Sequence, residues 1–175
     1  MEELTINEFL IKNPITDLQD LIVNPSQYII NVEDDYNKLI SIITKDQDRY
    51  IENGIITIEG GIFIKQHYQE ISGVKYWDDL PTLWSYILNV MEEYLVDGQA
   101  KIYFPSQPIK IQLKKLYRKK IEFLIDHNRL IIEQDIFYKT FLDRAESFFN
   151  ILVNKLDLEK YEYEIKQIQK IRLMI

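Results

Sequence analysis

The sequence predicts an α+β fold: an antiparallel sheet meander with helices packed on one face and a C-terminal helix. Three observations predict it. The apolar residues are largely β-branched or aromatic. Isoleucine leads, tyrosine occurs 12 times and phenylalanine 8 times, and Ala100 and Ala145 are the only alanines. Such side chains fit a pleated surface. Ile109, Ile111 and Leu113 alternate with Lys110, Gln112 and Lys114, and Ile121, Phe123 and Ile125 repeat the pattern of a half-buried strand. Two other segments, about 81–96 and 137–154, carry apolar residues at helical spacing. With 175 residues and 46% hydrophobic content, one domain over 1–175 is expected, burying about 70% of its unfolded surface.

Taken in order, residues 3–12 predict an edge strand. Leu18 to Val23 is short and fits either class, and Asn24-Pro25-Ser26 reads as a turn. Tyr28-Ile29-Ile30-Asn31-Val32 reads as a strand, with a short helix following over about 36–44. Glu33, Asp34 and Asp35 precede that helix, where its partial positive end favours acids. Ile55 to Ile58 and Ile62 to Ile64 flank Gly60-Gly61, which predicts a hairpin. The clearest helix runs from about Pro81 to Val96. Asp79 can cap it, Pro81 sits in its first turn, and Gly98 can close it in a left-handed conformation. Leu83, Trp84, Ile87, Leu88, Met91, Tyr94 and Leu95 mark its apolar face. Strands follow at 100–104, 109–115, 121–126 and 130–132, with a turn at Asp126-His127-Asn128-Arg129. Phe137, Phe141, Ala145, Phe148 and Leu152 predict a helix over 137–154. Leu158, Tyr161, Ile165 and Ile168 predict a last one over 157–173.

Charge is segregated along the chain. Residues 1–100 hold 18 acids against 6 bases, a net of −12, and residues 101–175 hold 10 against 15, a net of +5. Fields of this kind act on partners rather than on fold. There is no cysteine, so disulfide and thiolate chemistry are excluded, which suits a reducing cytoplasm. The acidic start Met1-Glu2-Glu3-Leu4 is unlike a secretory signal, and no apolar run approaches the roughly 20 residues that span a bilayer.

No residue constellation writes out a reaction. His67 and His127 are the only histidines, too few for a zinc centre without cysteine. Asp34/Asp35, Asp78/Asp79 and Glu92/Glu93 are adjacent pairs, whose members point to different faces, so they are not preformed dyads. Capping and solvation explain them, although carboxylates from distant segments could still converge. Asp46, Asp48 and Glu52 lack the glycine that a calcium loop needs, since Ile51 stands in its place. No phosphate loop, nucleophile elbow or dinucleotide fingerprint occurs. Neither a metal nor a cofactor is expected. Lys114, Lys115, Arg118, Lys119 and Lys120 surround Tyr117. In a chain of pI about 4.9, gatekeeping charges around a solvated turn explain this cluster better than nucleic acid does.

The stretch Trp77-Asp78-Asp79-Leu80-Pro81-Thr82-Leu83-Trp84-Ser85-Tyr86, followed by Tyr103-Phe104-Pro105-Ser106-Gln107-Pro108, is the most distinctive part of the chain. This layout, with the later Phe-rich helix, resembles small bacterial proteins of uncharacterised families found among the immunity proteins of polymorphic toxin systems. The resemblance covers about residues 74–155 and carries over no functional residue. It implies a cytoplasmic, non-enzymatic protein that neutralises a toxin by direct contact.

The expectation from both lines is an acidic surface meeting a basic protein partner, such as a cognate toxin domain. The candidate contact residues are Glu33, Asp34, Asp35, Asp46, Asp48, Asp78, Asp79, Glu92 and Glu93. Two alternatives stay open: an enzyme with an unrecognised carboxylate or tyrosine site, and a homo-oligomeric structural or regulatory protein associating through 157–173.

Overall fold

The computed structural model describes residues 4–33 and 35–175. It shows an α+β fold with antiparallel sheets and a C-terminal helix. The first sheet has the order β2 (Ile29–Asn31), β1 (Leu4–Ile11), β5 (Glu59–Gln66), β6 (Gln69–Ser72), and β7 (Trp77–Asp79) pairs with the start of β5. The second is a meander of β8 (Gln99–Tyr103), β9 (Lys110–Lys115), β10 (Lys120–Ile125) and β11 (Asn128–Glu133). A two-stranded ribbon joins β3 (Ile51–Glu52) to β4 (Ile55–Ile56). The short helices are α1 (Leu18–Val23), α2 (Pro25–Tyr28), α3 (Tyr36–Lys45) and α4 (Gln47–Tyr50). The long ones are α5 (Leu80–Asp97), α6 (Gln134–Leu156) and α7 (Glu162–Met174).

The period-two alternation of 109–133 holds residue for residue. Ile111, Leu113, Ile121, Phe123, Ile125, Leu130 and Ile132 are buried against α5 and α6, while the other face of the meander stays open to solvent. α5 forms where its caps predict. Asp79 accepts from the Thr82 backbone N–H, and Gly98 takes φ 72° and donates to the Tyr94 carbonyl at 2.8 Å. Trp84 is fully buried and meets Phe141 edge-on at 6.3 Å. Phe141 also packs tilted against Phe137 (4.3 Å) and edge-on against Phe123 (5.3 Å), so three rings tie α6 to the meander. The buried Tyr138 hydroxyl donates to the Met91 carbonyl at 2.7 Å and links α6 to α5.

Four expectations change. The strand at 4–11 is not an edge: β1 runs between β2 and β5. Gly60-Gly61 is not a hairpin turn but lies inside β5. A Cβ on Gly60 would overlap the Phe9 carbonyl, and one on Gly61 would lie 2.6 Å from the Phe9 ring. The glycines are there because another backbone and ring approach closely. Asn24-Pro25-Ser26 is no open turn, since Pro25 starts the one-turn helix α2. The terminal helix over 157–173 is broken: Asp157 at φ 55° ends α6, Glu159–Tyr161 forms a 3-10 turn, and α7 follows. Ile168 and Ile171 of α7 are buried in the common core. The apolar stripe offered for self-association is therefore used inside the fold.

Candidate functional site

Of the nine acids singled out in the sequence, the eight described ones differ in burial and in what they hold. Asp34 lies outside the described residues. Exposed Glu33 takes φ 51°, and its backbone carbonyl accepts from Arg144. Asp35 caps α3, accepting from the Asn37 N–H at 3.1 Å. Asp46 and Asp48 are exposed at the far end of α3, about 15 Å along its axis. Asp78 is buried, accepting from the backbone N–H groups of Asp79 and Ser106, both at 2.8 Å. It thereby fixes the bend at 104–108. Asp79 holds Ile58 N–H at 3.0 Å with one oxygen and caps Thr82 with the other. Glu92 accepts from Gln167 at 2.8 Å and from Lys170, and these bonds hold its carboxyl below the ordinary value. It docks α7 on α5. Exposed Glu93 stands beside the start of β8.

Neutralisation is uneven. Among the described carboxylates before residue 100, only Glu8, Glu70 and Glu92 lie within ion-pair distance of a described cation. Beyond residue 100, five of the ten acids, Glu122, Glu133, Asp143, Glu146 and Glu162, pair with Lys or Arg. The acidic part of the chain keeps its charge.

The sequence reading missed Glu8. Its carboxylate is fully buried and accepts from Arg144 Nε at 2.8 Å and from a second Arg144 nitrogen at 2.6 Å. The Tyr36 hydroxyl lies 3.2 Å from its other oxygen, and the guanidinium stacks over the Tyr36 ring at 4.8 Å. Burial pushes the carboxyl up, while Arg144 pulls against that shift. The signal was present: Glu8 follows Leu4 and Ile6 at period two, an inward position that only a partnered charge can occupy. The cluster ties β1 to α6 and α3.

A groove of about 550 Å³ crosses the outer face of the first sheet, floored by Ile29, Phe63 and Val74 and rimmed by Lys65, Lys75 and Glu70. It is of a size that holds a large side chain or small ligand. Leu18, Ile22 and Val23 of α1 stand exposed, and Ile22 reaches its wall. On the open face of the meander the register sets Lys101, Tyr103, Lys110, Gln112, Lys114, Glu122, Leu124 and Arg129 side by side. His127 and His67 occupy hairpin turns. Among the described residues no three His, Cys, Asp or Glu side chains come together to hold a metal, and no helix is long and apolar enough to cross a membrane. Comparison with protein-family models, with curated proteins and with solved structures found no match.

Proposed function

We propose that the protein acts by contact, as a cytoplasmic toxin-neutralising immunity protein whose acidic residues meet a basic partner. The observation that carries this reading is the uneven neutralisation: among the described residues, most acids of the first hundred positions have no cation within ion-pair distance, whereas half of the ten acids beyond pair with Lys or Arg. An unneutralised acidic surface draws in a basic protein and orients the encounter. Glu33, Asp35, Asp46 and Asp48, at the two ends of α3, are the contact acids this reading favours. Asp78, Asp79 and Glu92 serve the fold first.

The test is a pull-down from cells that make the protein, followed by binding kinetics across a salt series. The association rate is expected to fall as salt rises, because charges are screened beyond about 8 Å at physiological ionic strength. Glu33→Lys, Asp46→Lys and Asp48→Lys together are expected to slow association while changing fold stability by under about 1 kcal/mol. A salt-independent association rate refutes the reading.

A further inference from the structure

The four-stranded meander has two edge strands, β11 and β8. The start of β11 lies against β6, while β8 has no strand on its outer side among the described residues. In an antiparallel ladder, residues alternate between those that bond across to the partner and those whose N–H and C=O point away. At one end of β8, Lys115 N–H donates to the Gly98 carbonyl at 2.9 Å. At the other, Phe104 N–H donates to the Ile109 carbonyl at 2.8 Å. The even-numbered residues therefore bond to β9. The N–H and C=O groups of Gln99, Lys101 and Tyr103 point outward, and none has a hydrogen-bond partner among the described residues. The side chains of the same three residues are exposed. An unpaired strand edge is a template for another strand.

We propose that β8 captures an extended segment of another protein by strand addition, and that the segment carries an acid at every second position. Successive side chains of an added strand face opposite sides of the sheet. Those on the open side meet Lys101, with Lys110 and Lys114 on the next strand. Among the described residues, none of these lysines has an acid within ion-pair distance. Acids placed there gain cross-strand attraction. The intervening side chains need not be acidic, and an all-acidic segment is disfavoured: Glu93 and Asp97 of α5 line a shallow cleft of about 350 Å³ at this edge, with Gln99 and Lys101. A second copy of the chain is a poor occupant. Antiparallel pairing of β8 with itself about its centre sets Lys101 directly opposite Lys101, and like charges so placed repel. This inference is independent of the acidic-surface reading, since it concerns the opposite charge on a different element.

The experiment is amide NMR on the isotope-labelled protein. Three probes are added at up to millimolar concentration: a peptide the length of β8 with glutamate at every second position and threonine or valine between, the same peptide with lysine for glutamate, and a single-stranded oligo-dT. The glutamate peptide is expected to shift the amides of Gln99, Lys101 and Tyr103 and to protect them from exchange, and the lysine peptide to leave them unmoved. Lys101→Pro removes an outward N–H that the ladder does not use, so the fold is kept and binding is expected to vanish. Lys101→Glu keeps the N–H and is expected to weaken binding about fivefold, from attraction turned to repulsion. No shift at these amides, equal shifts with both peptides, or full binding by Lys101→Pro overturns the proposal. So does perturbation of the lysine face by oligo-dT alone, which assigns the face to nucleic acid. Resonances of these amides that depend on protein concentration without probe also overturn it, in favour of self-pairing.

Discussion

Replacing Arg144 by Met tests whether the buried ion pair behaves as its geometry requires. Glu8 is 0% exposed and Arg144 is 12% exposed at its side chain. The substitution removes both charge-assisted bonds, at 2.6 and 2.8 Å, and leaves the carboxylate only neutral donors, the Tyr36 hydroxyl at 3.2 Å and its own backbone N–H. Breaking a buried pair from one side costs about 3–5 kcal/mol, because an uncompensated charge stays inside. For a chain of this size each kcal/mol lowers Tm by about 2–4 °C, so a fall of roughly 6–20 °C is expected. Urea unfolding followed by circular dichroism gives the free energy, provided the slope with denaturant is unchanged. Two further arms make the reasoning refutable. Glu8→Leu combined with Arg144→Met removes both charges and is expected to recover most of the loss. Acid should also rescue the single variant. Burial raises the Glu8 carboxyl, so the folded state holds this proton at pH values where the unfolded chain has lost it. A raised acid contributes most below the unfolded value and loses that contribution as pH rises through the folded one. Without Arg144 the shift grows, so the deficit against wild type is largest near neutrality and shrinks as pH falls. A single variant within about 1 kcal/mol of wild type, or a double variant no better than the single, refutes the account.

Gly60→Ala should cost roughly 1–3 kcal/mol, since its Cβ has to displace the β1 backbone at Phe9; an unchanged urea midpoint would show that β1 yields freely. Glu92 gives the opposite pH sign to Glu8. Its carboxyl is lowered by the bonds from Lys170 and Gln167, so its contribution is present above the ordinary carboxylate range and lost as pH falls through the lowered value. Protection factors over 162–174, corrected for the intrinsic exchange rate at each pH, should therefore fall at acid pH in the wild type, and Glu92→Gln should reduce that fall, the Arg172 pairs with Asp143 and Glu146 supplying the rest.

The meander and its two long helices were legible because each carries a complete period: two in the strands, 3.6 in the helices. Asp79, Pro81 and Gly98 marked the ends of α5 correctly because capping is local. What failed was non-local. The sequence of β1 does not say that β2 and β5 flank it, so an interior strand read as an edge. Gly60-Gly61 satisfies both a turn and a close approach, and only the position of the Phe9 ring decides between them. For the acids, sequence gives charge but not engagement. Asp78 and Glu92 look as free as Asp48 until Ser106 and Lys170 are seen against them. Glu8 was readable as a charge at an inward position, but Arg144 could not be named as its partner from so far along the chain.

That separation bears on how the chain is made. Glu8 and Arg144 are 136 residues apart. At ribosomal rates of about 5–20 residues per second, β1 waits roughly 7–27 s for its counter-charge. Until α6 emerges, closing the first sheet over Glu8 would bury a lone carboxylate. The meander 99–133 has no such wait, since each strand pairs with the next one made. The docking of β1 is therefore tied to the arrival of α6, which supplies the counter-charge to Glu8, while the meander pairs strand by strand as it emerges.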